Sequence, residues 1–432
     1  MTHKNRVLIL ADDLTGANDT AIQFVKHGLS SLLVIHSALA NPLFFDDYHV
    51  VSVNSNSRGM KARDAYNTVR RTIEQLGSGY FVYKKVDSVL RGNPGEELAA
   101  VMDALGIPLA IAAPSFPANR SVVRKGILYA GEKSDSDGVN AVKIFADGTG
   151  RKTENIPLGE IRQGSKAVIE FIKTHNDNGT QVFVADAVID EDLETVCEAS
   201  VSLGKPHIVA GSAGLAYQCA VAKQFATAKS FAEFAGKTSG VSFEKASALP
   251  SALVVAGTRQ RETTAQIINL SRAFAVPVIK FKTFLVYEGR SEQAIDEAFN
   301  EASEHMKQNA PVCIVAADSL FESAGAVNDT EGNEISAAIS AAIGILTGKL
   351  IDSFGFPLII GTGGNTSLGI CQQLGVDAIE PLAEISPGIP LGRIIGGSSD
   401  GRYIVTKSGR FGTPDVFTEI MNYTGVNRSV NQ

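Results

Sequence analysis

RVLILADDLTGANDT, residues 6–20, reads as a strand that runs into an acidic turn and then opens a helix. RVLILA (6–11) reads as a buried strand with five apolar residues after Arg6, and ANDTAIQFVKHG (17–28) continues as a helix closed by Gly28. In open α/β sheets, ligands bind at the carboxyl ends of the strands, where this turn lies. Its three carboxylates, Asp12, Asp13 and Asp19, fall within eight residues and suit hydroxyl recognition, proton abstraction or a magnesium ion. Asp13 or Thr15 can also serve as a helix cap, which leaves Asp12 for function.

The same rhythm spreads outward. SLLVIH (31–36), HVVSVN (49–54), YFVYKKV (80–86), LAIAAP (109–114), VFVAD (182–186) and HIVAG (207–211) read as strands, with helices at Arg63–Leu76 and Glu96–Leu105. Near 227–250 the pattern lapses into a stretch rich in Ala, Ser, Lys and Gly, then restarts with SALVVAG (251–257), VPVIKF (276–281), VCIVAA (312–317) and PLIIG (357–361). Continuous apolar strands separated by helices predict parallel sheets covered on both faces. The expected fold is therefore α/β with two domains, 1–226 and 251–432, joined by 227–250, each a mostly parallel sheet flanked by helices.

Bulk properties narrow the function. A chain of 432 residues exceeds one ordinary core, and 44% hydrophobic residues fit a packed globular protein. Apolar runs such as Pro108–Pro114 and Phe356–Ile360 are far shorter than the roughly 20 residues of a membrane span. The opening MTHKNRVLILADDL does not read as a signal peptide, so a cytoplasmic location and no membrane partner are expected. The net charge of −7 argues against nucleic acid as a partner. Cys197, Cys219, Cys313 and Cys371 are spread widely and read as reduced core residues, and the seven histidines show no metal-ligand spacing. Self-association as a homo-oligomer is left open by the sequence.

Further polar clusters follow strand ends. NSNSRG (54–59) offers Arg58 as a planar clamp for a carboxylate. KKVDSVLRGNPGEEL (84–98) crowds Lys84, Lys85, Asp87, Ser88 and Arg91 at one strand end, a composition suited to a polyhydroxy acid, with a structural ion pair as the plainer alternative. APSFPANRSV (113–122) reads as a stiff loop at the same edge, and AGSAGLA (210–216) as another strand-glycine-helix turn. In the second half, AGTRQRETTAQI (256–267) and GTGGNTSLGI (361–370) each follow a strand and open a helix, where Gly361, Gly363 and Gly364 let the backbone approach a phosphate. Neither the Walker pattern nor the dinucleotide fingerprint is present. TKSGRFG (406–412) adds Lys407 beside Ser408 and Gly409. The first half thus suits a small polar acid and the second suits phosphates, so a reaction joining them is expected in the inter-domain cleft.

ADDLTGAND, KKVDSVLRGN, APSFPANRSV, GTGGNT, PGIPLG (387–392) and TKSGRFG, in this order, resemble the four-carbon acid sugar kinase family over nearly the whole chain. The resemblance implies an N-terminal sugar-acid domain and a C-terminal nucleotide domain, with ATP-dependent phosphorylation of the terminal hydroxyl of D-threonate, D-erythronate or 3-oxo-tetronate. GANDT resembles the threonate-type members. Carried over by position, Asp12, Arg58, Lys85, Val86, Asp87 and Ser88 would contact the sugar acid; in the mechanism expected from these residue types, Asp12 or Asp87 orients the hydroxyl and accepts its proton. Thr258, Gly361, Thr362, Gly363, Gly364, Lys407, Ser408 and Gly409 would contact ATP, with Mg²⁺ helping to neutralise the triphosphate and no residue assigned as its ligand. The chain departs from the family at Asn365, where an acidic residue is frequent, and at Arg410, where the motif carries glycine. A nicotinamide-dependent sugar-acid dehydrogenase and a non-catalytic sugar-acid sensor are the rival readings.

Overall fold

A computed structural model describes residues 6–76, 79–131, 138–221, 248–321 and 329–427. The chain divides into two compact units, Met1–Gly240 and Val241–Gln432. Of the expected connection at 227–250, residues 227–247 lie outside the described residues.

The first unit carries strands β1 (Val7–Ala11), β2 (Ser31–Val34), β3 (Val50–Asn54), β4 (Phe81–Lys85), β5 (Ala110–Ala113), β6 (Ser121–Arg124), β7 (Ile127–Ala130), β8 (Val139–Asn140), β9 (Thr153–Ile156), β10 (Val182–Ala185) and β11 (Ile208–Gly211). Its main sheet runs β2-β3-β1-β4-β11-β5-β10-β9, and every pairing in it is parallel. All five residues of β1 are buried, as expected for a strand covered on both faces. β6, β7 and β8 form a small antiparallel sheet that the sequence reading missed.

β1 is the point where the chain changes direction across this sheet. The helix after it, Leu14–Val25, packs on Ala213–Val221, whereas the helices after β3 and β4, Ala62–Leu76 and Pro94–Leu105, pack on each other. Connections that leave neighbouring strands toward opposite faces open a crevice at their carboxyl ends. Both helices begin earlier than the sequence suggested. Leu14 starts the first because Asp13 caps it, accepting from Gly16 N, and Pro94 starts the second because a proline needs no amide partner in a first turn.

The second unit holds β12 (Ala252–Ala256), β13 (Val278–Phe281), β14 (Val312–Ala317), β15 (Leu358–Thr362), β16 (Ala378–Ser386), β17 (Ile389–Ile395) and β18 (Tyr403–Lys407). The order β13-β14-β12-β15-β18 is parallel, and β17 and β16 extend it antiparallel. Its longest helix, Asp329–Phe354, contains a 20-residue stretch, Ile335–Phe354, long and apolar enough by composition to cross a membrane. Half of that stretch is buried within the protein. It lies on the helix Gly364–Gln373 with almost no side chain between them: a Cβ at Gly344 would fall 2.6 Å from Gly369 O, and one at Gly369 would fall 2.5 Å from Ser340 O. This is the packing of a core helix.

The cysteines are buried, as expected, but two are not scattered in space. Cys197 and Cys219 approach to 2.7 Å between sulfurs across two packed helices, both as free thiols.

Candidate active site

The loops after β1, β3 and β4 meet in the crevice around one guanidinium. Arg58 donates from Nε to Asp12 Oδ2 at 2.7 Å, from Nη2 to Asp12 Oδ1 at 2.8 Å and from Nη1 to Asp13 Oδ2 at 2.6 Å. Its Nη2 also lies 3.4 Å from Asp87 Oδ2. The fork that the sequence reading aimed at a substrate carboxylate is thus largely committed to three protein carboxylates. Asp87 is held from its other side by Arg91, at 2.6 Å, and accepts from the Val89 amide. Lys85 is buried beside this group, with Nζ 2.7 Å from Val86 O and close to Gly16 at the start of the first helix.

The electrostatics follow from that packing. Burial alone would push the Asp12 carboxyl up, but Arg58, Lys84 and Lys85 outweigh it and hold Asp12 below the ordinary carboxylate value. Asp87 is held well below the ordinary value by Arg58, Arg91 and Lys85, again against burial. Arg58 is raised well above its ordinary value, because the three aspartates outweigh its desolvation. Both carboxylates are therefore fixed as anions at neutral pH and suit orienting a hydroxyl by accepting its hydrogen bond.

Val86 is buried and offers only its backbone, with its amide donating to Gly211 O. Ser88 is half-buried, and its carbonyl accepts a hydrogen bond from Ser121 Oγ, which draws the APSFPANRSV loop to the site. Gly92 has φ +85°, and a Cβ there would fall 3.2 Å from Asp12 Oδ2 and 3.3 Å from Arg58 Cα, so only glycine lets this loop close over the ion pair. The structure thus brings Asp12, Arg58, Lys85 and Asp87 together, with Val86 between the last two and Ser88 just after Asp87.

Beneath them lies a residue that the sequence reading passed over. Glu97 pairs with Lys84 at 2.7 Å, each side chain 1% exposed. Burial pushes the Glu97 carboxyl up, partly opposed by Lys84. Glu97 sits in the first turn of its helix, thirteen positions from Lys84, so no short motif joins the two.

In the second unit, three adjacent parallel strands β12, β15 and β18 deliver the glycine turns to one edge. Ala256 pairs with Thr362 and Thr362 with Lys407, so Thr258, Gly363 and Gly409 emerge side by side. Gly363 has φ +101°, its amide donates to Lys407 O at 2.8 Å, and a Cβ on it would touch Thr258. It opens the helix Gly364–Gln373 without a side-chain cap, which leaves first-turn amides for an anion. The hydroxyls of Thr362 and Ser367 are buried with no hydrogen-bond partner among the described residues. Lys407 is fully buried and donates to Ser408 O at 2.9 Å and Phe411 O at 3.1 Å, so it braces the turn that follows it. The family departures have local partners: Asn365 donates to Ser336 Oγ at 3.2 Å, and Arg410 donates from Nε to Gln260 Oε1 at 3.1 Å.

The donor set does not fit a protein-built magnesium cage. Among the described residues no group of three or more His, Cys, Asp or Glu could hold a metal ion, and the three converging aspartates already share Arg58.

Sequence comparisons place this chain among the kinases that act on an alcohol group of a carbohydrate acid. Residues 7–219 match the family described as "Sugar-binding N-terminal domain", and residues 253–417 match "Nucleotide-binding C-terminal domain". The D-threonate kinase of Bordetella bronchiseptica is 30% identical over 94% of this chain and 95% of its own length. The 3-oxo-tetronate kinase of Burkholderia multivorans is 28% identical (95% and 96%), and the D-erythronate kinase of Heliobacterium modesticaldum 26% (97% and 97%). A solved structure from Salmonella typhimurium LT2, described as a putative tRNA synthase, superimposes with a TM-score of 0.75 over 96% of this chain and 98% of its own, at 20% identity, a likeness of fold. This chain belongs to the four-carbon acid sugar kinase family.

Proposed function

We propose that this protein transfers the γ-phosphoryl group of ATP to the terminal (4-) hydroxyl of D-threonate, giving 4-phospho-D-threonate and ADP. The observation that carries this reading is the Asp12–Arg58–Asp87 constellation beside Lys85, a buried set of fixed charges at the carboxyl edge of a parallel sheet. Phosphoryl transfer asks for positioning and charge neutralisation rather than covalent chemistry by the protein. Lys85 and the donor capacity left on Arg58 would hold the acid's carboxylate. Asp12 or Asp87 would accept the hydrogen bond of the terminal hydroxyl and receive its proton late, when bonding to phosphorus makes that proton acidic. The first-turn amides from Gly364 onward, the hydroxyls of Thr258, Thr362 and Ser408 and the Lys407–Gly409 turn would cradle the phosphates.

ADP release, measured across D-threonate, D-erythronate, 3-oxo-tetronate and their stereoisomers, tests the substrate. The largest kcat/KM should fall on D-threonate, and a preference for D-erythronate or 3-oxo-tetronate would replace that assignment within the same chemistry. Asp12→Asn keeps the size of the side chain but removes its charge. It should lower kcat by about 10²–10⁴-fold, the range for a positioned proton acceptor, with little change in KM for ATP. Near-normal turnover would remove Asp12 from that role.

Lys407 gives a pH signature. Burial pulls its ammonium from 10.5 down to about 7, against a small opposing pull from Glu262. Between about 7 and 10.5 the unfolded chain holds this proton and the free enzyme does not, so the strain of burying the charge is full below about 7 and is relieved as pH rises. A bound triphosphate favours the charged form and should restore the proton. Calorimetry in buffers of different ionisation enthalpy should therefore find proton uptake on ATP binding at pH 8, approaching about one proton and abolished in Lys407→Met, with ATP affinity weakening as pH rises. Equal apparent heats in both buffers would exclude this contact.

A further inference from the structure

We propose that Glu97, through its pairing with Lys84, is a positioning residue that holds Arg58 and the acidic turn in register; the inference rests on the kinase reading above. The pair is buried under the site, where it is shut off from solvent. A buried ion pair gives little stability over an apolar pair of the same volume, since desolvation offsets the attraction. What it supplies is direction, because each charge must be satisfied by partners in fixed places.

Those partners are the three loops of the site. Lys84 Nζ donates to Leu10 O at 3.1 Å and to Lys85 O at 2.7 Å, which ties the ends of β1 and β4 together. Glu97 Oε1 accepts from Ser57 Oγ at 2.7 Å. Ser57 Oγ lies 2.7 Å from Ser55 Oγ, and Ser55 Oγ donates to Ala11 O at 2.8 Å. The ties therefore end on the residues next to the functional ones: Ala11 precedes Asp12, Ser57 precedes Arg58, and Lys85 stands two positions before Asp87. Glu97 lies in the first turn of the helix Pro94–Leu105, where the helix dipole favours a carboxylate. Two backbone bonds complete the frame: Ser55 N to Ala11 O at 2.9 Å and Arg58 N to Asp12 O at 3.2 Å.

The experiment compares Glu97→Gln with the double variant Lys84→Met/Glu97→Gln, using kinetics, thermal midpoint and hydrogen–deuterium exchange across residues 54–60. Glu97→Gln leaves one acceptor oxygen where Glu97 uses two, so Lys84 and Ser57 cannot both keep their partner, and the buried ammonium is left unbalanced. It should lower kcat/KM for the sugar acid by about 10²-fold, as a misplacement of about 1 Å does, with KM for ATP unchanged. Exchange across 54–60 should quicken by at least about tenfold. The double variant buries no lone charge and should recover the thermal midpoint, yet it stays slow and exchanges fast because the ties to Leu10 and Lys85 are missing. Recovery of kcat/KM together with the midpoint would make the pair structural only and overturn the proposal, as would wild-type exchange across 54–60 in Glu97→Gln. Exchange is read without turnover. A wild-type enzyme that released no ADP with any acid would therefore refute the substrate reading while the exchange comparison still decided this one.

Discussion

Arg58→Ala is expected to abolish measurable phosphorylation of the sugar acid, with a loss of at least about 10³-fold in kcat/KM, and to lower the thermal stability of the first unit. Removing this guanidinium leaves Asp12, Asp13 and Asp87 facing each other in a largely buried space without the cation that bonds or contacts all three. Breaking a buried ion pair from one side costs about 3–5 kcal/mol, and the lower end applies because the Arg58 side chain is 23% exposed. Arg58→Lys separates charge from shape. It retains a cation but not the planar fork that reaches Asp12 through two nitrogens. It should fold with a near-normal midpoint and still lose about 10²-fold in kcat/KM. Full activity in Arg58→Lys would mean that a point charge suffices and that the fork geometry is incidental.

Gly409→Ala should act on the nucleotide alone. A Cβ at this position would lie 2.5 Å from Thr258 Oγ1, 2.7 Å from Gln260 Cγ and 3.0 Å from Gln260 Cβ, so the turns after β12 and β18 must move apart. Overpacking of this kind costs about 1–3 kcal/mol. Paid out of phosphate binding, it amounts to a rise in KM for ATP of roughly 10–10²-fold, with sugar-acid affinity and the fold retained. Steady-state kinetics with each substrate varied in turn distinguishes this from a general loss of folding, which would lower activity without that selectivity. An unchanged KM for ATP would remove the Thr258–Gly409 approach from the binding site.

Features that depend on neighbours in sequence were legible from residues alone. The apolar run before Asp12 marks β1, Asp13 has the side chain of a helix cap, and the glycines after β15 mark the turn into Gly364–Gln373. Features set by partners distant in sequence were not. Arg58 was read as a clamp for a ligand, because nothing in NSNSRG reveals that three aspartates from two other loops would converge on it. In sequence Lys84 is one cation among several and nothing marks Glu97, since their pairing exists only once β4 and the following helix are stacked. The β16–β17 pair went unread because its strands are irregular, with register shifts between Pro381 and Ala383 and between Glu384 and Ser386. The helix 329–354 went unread because small residues dilute its apolar periodicity, and those same glycines are what the packing uses.

That last contact has a mechanical meaning. With Gly344 and Gly369 pressed backbone to backbone, the helix that begins at the Gly363 turn rests on a stop rather than on a cushion of rotatable groups. A side chain can absorb a displacement by changing rotamer, but a carbonyl against a Cα cannot. A single methyl added at residue 369 would therefore be passed along the helix to Gly363 almost undamped. Surveys of random variants should find nucleotide-affinity losses at 344 and 369 even though neither residue is in one of the turns that would cradle the phosphates.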